Sequence, residues 1–193
     1  FIQSDKYSNI YIYGQSLGNV PVVVASNAAT IFSVSGTHQF ISRFNSTLNT
    51  LNMSTKFGNQ QNDVDISPSA FSVDRCNNIY VSGWGGNLLT QNQPMANMPL
   101  MIPTQGSTTG YDFYFMGLDS NGVNLDYGSY FGGPISREHV DGGTSRFDPQ
   151  GKIYQSVCAG CGGNDDFPVT PGSWPGTPGN PNYSGNCNNG VIK

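Results

Sequence analysis

The chain has 193 residues and sets eight Lys and Arg against twelve Asp and Glu, for a net charge of −4 and an isoelectric point near 4.8. Its few cations are scattered, which excludes the clustered basic surface that nucleic-acid binding by counterion release requires, and no apolar run approaches the ~20 residues of a membrane helix. Charged residues are 10% of the chain and aromatics 12%, against about 25% charged in an average soluble domain, and abundant Gly, Asn, Ser and Thr suit twisted strands and tight turns rather than helices.

In chain order, the first signal is Asp5-Lys-Tyr-Ser-Asn-Ile-Tyr-Ile-Tyr-Gly14, a polar turn running into an alternating β-branched and aromatic stretch. Val20-Pro-Val-Val-Val-Ala25 reads as a further strand. Gln39–Phe44, the polar Asn45-Ser-Thr-Leu48 and the stretch ending at Phe57 read as a hairpin. Ala70–Val73 enters, and Ile79–Ser82 leaves, the five-residue turn Asp74-Arg-Cys-Asn-Asn78, giving another hairpin. Tyr111–Leu118, the Asn-Gly turn Asp119–Gly122 and the return from Val123 to Tyr130 give the next. Asp148-Pro-Gln-Gly-Lys-Ile-Tyr-Gln-Ser156 opens a third round, and Val191–Lys193 aligns with the middle of the strand around Phe113–Met116.

The same phrase thus opens at Asp5, Asp74 and Asp148, 69 and then 74 residues apart. A second phrase, Phe44–Gly58, returns without a gap as Leu118–Gly132, again 74 residues on, so the five-residue difference falls in Gln15–Gly36 or its counterpart Trp84–Gly110. Length variation confined to one segment marks a surface loop. Two hairpins in each unit of about 70 residues amount to four antiparallel strands, the content of one β-propeller blade, whereas solenoid repeats run to about 20–45 residues and an immunoglobulin-like sandwich takes about 100. The expectation is an all-β chain of tandem four-stranded antiparallel blades: residues 1–73, 74–147 and a partial third unit at 148–193. Such a set forms an incomplete ring and a fragment of a larger propeller, whose remaining blades would be its partners.

Chemistry-bearing residues are sparse. Cys76, Cys158, Cys161 and Cys187 read as structural disulfides, which would place the chain in an oxidising compartment. Half of a zinc site and free thiols are the other readings, but Cys158-Ala-Gly-Cys161 lacks both the strand-to-helix context of a redox motif and the second pair of a zinc ribbon. His38 and His139 lie in different units and read as solvated loop residues rather than parts of a zinc or Ser-His-Asp site. Asp63, Asp65, Asp119, Asp165 and Asp166 sit in Asn- and Gly-rich turns that offer oxygen ligands to Ca²⁺. They match no known calcium loop, and the ordinary alternative is an Asx-turn. Trp84 and Trp174, in Gly- and Pro-rich loops, are candidates for stacking on a sugar or anchoring a partner, or else plugs over the end of a unit.

Asp74–Gly83, Ser129-Tyr-Phe-Gly-Gly133 and Asp166-Phe-Pro-Val-Thr-Pro-Gly-Ser-Trp174 together resemble the SBBP beta-propeller repeats of large secreted bacterial proteins. Cys158-Ala-Gly-Cys-Gly-Gly163 with Asn186-Cys-Asn-Asn-Gly190 resembles the Bacteroidota variant. The resemblance implies a secreted or cell-surface protein with a C-terminal sorting domain of the kind associated with gliding motility and type IX secretion. The first unit departs from it, having Val20–Ile31 in place of the Asp-Phe-Pro segment and Gly58-Asn59 in place of Gly-Gly. The functional expectation is a non-enzymatic scaffold, adhesion or interaction surface that engages protein or glycan at the cell surface. The alternatives are a propeller enzyme acting on glycans and a structural component or cargo of a surface fibre or secretion complex.

Overall fold

Tight turns, each anchored by one Asp or Asn side chain, organise the chain. The computed structural model describes residues 1–60, 63–85, 95–101, 109–140, 145–160, 166–172 and 189–193. Asp5 Oδ1 accepts the amides of Tyr7 and Asn9, both at 2.9 Å, and its Oδ2 accepts Asn9 Nδ2 at 2.8 Å and the Tyr11 hydroxyl at 3.3 Å. Asp74 repeats all four bonds with Cys76, Asn78 and Tyr80 at 2.8–3.1 Å. Asp148 repeats three, with Gln150, Lys152 and Tyr154. Asn45 and Asp119 hold the other hairpin turns in the same manner, Asp119 through the amides of Asn121, Val123 and Asn124. The third residue after each anchor must take positive φ, and Ser8, Leu48, Asn77, Gly122 and Gly151 do so, at 65°, 59°, 69°, 67° and 78°. The repeated Asp-x-x-x-Asn-x-Tyr is therefore a turn whose backbone donors are collected by one carboxylate.

These turns join antiparallel strands into three sheets. The first holds β1 (Ile2–Ser4), β2 (Ile10–Gln15), β3 (Gln39–Phe44) and β4 (Leu51–Phe57) in that order. The second holds β5 (Ser67–Val73), β6 (Ile79–Trp84), β7 (Phe113–Leu118) and β8 (Leu125–Phe131), and the third β9 (Ser145–Phe147), β10 (Ile153–Cys158) and β11 (Asn189–Ile192). The described residues contain no helix, and no sheet closes on itself. Each sheet's first strand precedes the repeated phrase, so bounds drawn at the phrase cut between first and second strands.

Strand alternation assigns the faces. Tyr11 and Tyr13 of β2 and Ile41 of β3 point one way and join Ile79, Val81, Tyr114 and Met116 of the second sheet in the main core. Tyr13 packs its ring at 6.1 Å from Phe57 and 5.7 Å from Phe71. The opposite face of the second sheet meets the third: Phe113 and Phe115 cluster with Val157 and Ile192, the Tyr80 ring lies 5.9 Å from that of Phe147, and Ser82 Oγ donates to Gln155 Oε1 at 3.0 Å. The first strands β1, β5 and β9 adjoin in series.

The apolar stretch at 20–25 is not a strand. It makes one bridge, Val23 to Ser54, with paired bonds of 2.9 and 3.0 Å along the outer edge of β4. Pro21 has no amide to extend a ladder, so the segment shields the edge instead of prolonging the sheet. In the second sheet Met101 donates to Gly128, the counterpart of Ser54, at 3.1 Å, so the loop after the second strand covers the fourth in both units.

Candidate functional site

A meander of four strands sorts its connections by end. The tight turns fall at one end, while the ends of β2 and β6, the starts of β3 and β7, and the segments leaving β4 and β8 fall at the other. The candidate residues Trp84, Asp65, Asp166 and both histidines all belong to this long-loop end.

At its centre is an acid pair that the sequence reading did not single out. Asp112 immediately precedes β7 and is 0% exposed; Glu138, in the segment after β8, is 2% exposed. Asp112 accepts the Thr109 amide at 2.9 Å, and Glu138 Oε1 accepts the Gly133 amide at 3.1 Å and the Ser136 hydroxyl at 2.5 Å. Burial, and then the hydrogen bond with Asp112, push the Glu138 carboxyl up to about 8. Burial also raises Asp112, while the bond from Glu138 opposes that rise. Two facing carboxyl groups cannot both ionise in such a place, so Glu138 keeps its proton and donates it to the Asp112 carboxylate.

The pair ties the start of β7 to the chain leaving β8, an attachment seconded by Glu138 N donating to Tyr111 O at 3.2 Å. Close approach at the glycines allows this: a Cβ on Gly132 would lie 2.4 Å from the Asp112 carboxyl, and one on Gly133 would lie 2.6 Å from Asp166 Oδ2. Asp166 Oδ2 accepts the amides of Ile135 and Ser136 at 2.5 and 3.1 Å. Burial works against its charge, but the Ser136 hydroxyl and these amides outweigh it and hold Asp166 below the usual carboxylate range.

The first unit solves the same problem with other residues. His38 occupies the place of Asp112, 74 residues earlier, and faces Asp65, whose Oδ2 accepts the Asn59 amide at 3.1 Å. Burial lifts Asp65 to about 6, and the Asn59 amide and the charge of His38 draw it down. His38 Nδ1 lies 2.9 Å from Ser16 O, and the His139 ring lies 5.6 Å from that of Trp84, with His139 bridged to Cys158. Both histidines are half-buried fixtures of the loops rather than solvated residues, because each has packing and backbone partners that the sequence does not reveal.

Among the described residues the calcium candidates do not converge on one site. Asp119 lies at the tight-turn end with its oxygens occupied by backbone amides, which is the Asx-turn alternative. Asp63 accepts the Val64 amide at 2.7 Å, Asp65 belongs to the first sheet's loop and Asp166 to the third's. No group of three potential metal ligands is found among the described residues. Asp165, Trp174, Cys161 and Cys187 lie outside the described residues. Among those described there is no disulfide: Cys76 is exposed in its turn and not bonded to Cys158, which is buried in β10.

The sequence carries only a positional trace of Asp112 and Glu138, and none of their pairing. Position 112 aligns with His38, the Gly132-Gly133 pair aligns with Gly58-Asn59, and an acid follows each glycine turn by six or seven residues. No family model matches the chain, and no curated protein is significantly similar to it.

Proposed function

We propose that the chain is a run of β-propeller blades from a secreted or cell-surface bacterial protein, serving as a non-enzymatic scaffold whose long loops supply the contact surface for protein or glycan. The observation that carries this reading is the serial arrangement of the sheets. Successive sheets stack face to face, their first strands adjoin, and the long connections leave from one end, which is how blades surround an axis. The resemblance of the Asp74–Gly83, Ser129–Gly133 and Asp166–Trp174 stretches to SBBP repeats supports the same reading and, with it, export by type IX secretion.

The acid pair favours a scaffold over a glycan hydrolase. A glycosidase needs two carboxyl groups about 5–10 Å apart across an open cleft, whereas Asp112 and Glu138 engage each other and are closed to solvent. A panel of glycosidase, esterase and peptidase substrates is expected to show no turnover by the purified chain. Turnover that disappears in Glu138→Gln or His139→Ala would contradict the scaffold reading. Antibody raised to the chain should label intact cells of the producing bacterium, and labelling only after lysis would contradict surface display.

A further inference from the structure

We infer that residues 132–140, the segment leaving β8, form a strap that opens as a unit when pH rises past neutrality, while the strands beneath it stay folded. The contact between Glu138 and Asp112 is its latch.

The strap is attached differently from the strands. It touches the third sheet through the bridge of His139 to Cys158, and three of its amides are held by carboxylates. Gly133 N donates to Glu138 Oε1 at 3.1 Å, and Ile135 N and Ser136 N donate to Asp166 Oδ2 at 2.5 and 3.1 Å. Glu138 N donates to Tyr111 O at 3.2 Å, and Thr109 Oγ1 donates to Ser136 O at 3.2 Å. A ladder bond between backbone groups does not titrate, whereas a donor held by an acid depends on that acid's charge. Ile135 is 67% exposed, and Pro134 and Arg137 are exposed as well. Little apolar area therefore holds the outer side of the strap down, which is the mark of a segment that opens separately.

The two acids of the strap need opposite charge states. Asp166 accepts its amides as a carboxylate, and the Ser136 hydroxyl and those amides hold it below the usual range, so its grip lasts into acid. Glu138 and Asp112, at 2% and 0% exposure, need one proton between them. The backbone passes so near that a Cβ on Gly132 would lie 2.4 Å from the Asp112 carboxyl. While the strap is seated, the pair has no room to part.

The described neighbours do not absorb a second charge. Tyr130 of β8, close to Asp112, is pushed up to about 12 by burial and stays neutral. Arg137 is turned over the Tyr111 ring, its Cζ 4.1 Å from the ring centre, and the His139 ring lies against Trp84. Asp166 brings a further acid from the third unit. The Glu138 carboxyl is raised to about 8 by burial and by the bond with Asp112, so the closed strap is fully favoured below the ordinary Glu value and loses its advantage as pH rises through that point. Opening relieves the repulsion at the expense of this segment's contacts alone, whereas unfolding would also give up both apolar clusters. An open strap releases Asp166, and with it the attachment of the third unit to the second at the long-loop end.

Hydrogen exchange of the 193-residue chain, read by mass spectrometry and corrected for the intrinsic pH dependence of exchange, tests this between about pH 6 and pH 9. Peptides covering 132–140 are compared with peptides covering β6 and β7. The strap is expected to be at least about tenfold less protected than β6 and β7 throughout, and its protection is expected to fall at least about tenfold across the range. In Glu138→Gln, which retains His139, the fall is expected to shrink to less than about twofold. Asp112→Asn removes the facing charge and should shrink it likewise, providing a second variant should the first fail to fold. Strap protection that stays constant with pH, that equals the protection of β6 and β7 at each pH, or that falls as far in the variants as in the wild type overturns the inference.

Discussion

Glu138→Gln tests the acid pair most sharply, because it is expected to stabilise the protein at alkaline pH while leaving it almost unchanged near pH 5. In the folded chain Glu138 holds its proton up to about 8, whereas in the unfolded chain a Glu releases it near ~4.3. The raised value means that the folded state binds more protons across this interval, so the contribution is fully present below the unfolded value, erodes as pH rises, and is gone above about 8. At ~1.4 kcal/mol for each pH unit, the interval sets a ceiling of about 5 kcal/mol, and relaxation around two facing carboxylates reduces the expected loss to roughly 2–3 kcal/mol between pH 5 and pH 9. Asp65, lifted to about 6, adds a loss of the same sign that is complete at lower pH. The amide introduced by Glu138→Gln would keep an oxygen for Gly133 N and Ser136 Oγ, and its NH₂ would donate to Asp112 in place of the acid proton, without ionising. Urea unfolding at half-unit pH steps, followed by circular dichroism, is expected to show the variant about 2 kcal/mol more stable than the wild type at pH 9 and within about 0.5 kcal/mol of it at pH 5. A wild type of constant stability from pH 5.5 to 9, with the variant weaker at both ends, would refute the shared proton.

Asp74→Ala removes the acceptor of four hydrogen bonds and is expected to cost about 2 kcal/mol in urea unfolding, while Asp74→Asn, which keeps one acceptor oxygen, should cost about half of that. Leu48 is the one apolar residue among the five positive-φ turn positions, and the second unit has Gly122 in its place. A left-handed side chain costs about 1–2 kcal/mol and a Gly loses roughly 0.5–1 in chain entropy, so Leu48→Gly is expected to gain about 0.5–1 kcal/mol in the melting curve. Gly133→Ala would force a Cβ to within 2.6 Å of Asp166 Oδ2 and 2.8 Å of Ser136 Oγ, and a loss of about 2 kcal/mol in urea unfolding follows from the displaced acid and its two amide bonds.

The scaffold was largely legible because it is local. Asp-x-x-x-Asn-x-Tyr encodes a turn and the strand after it within seven residues, and the spacing of the phrases conveys the hairpin order without any long-range information. The long-loop end was not legible, because its chemistry lies between residues that are distant in sequence: Asp112 meets Glu138, and Asp166 meets Ile135. Neither carries a motif, and both depend on how closely the chain approaches Gly132 and Gly133. The stretch at 20–25 misled for a related reason. Its composition is that of a strand, but Pro21 and the edge of β4 leave it only one bridge. The histidines misled because polar neighbours in sequence suggested solvent, while their neighbours in space are Ser16, Trp84 and Cys158.

A crystal structure of the chain tests the proposal that the three sheets are successive blades about one axis. It is expected to place β1, β5 and β9 innermost and side by side, with the tight Asp turns at one end and the long loops at the other. Sheets packed as a closed sandwich, with any of these first strands on the outer rim, would contradict it.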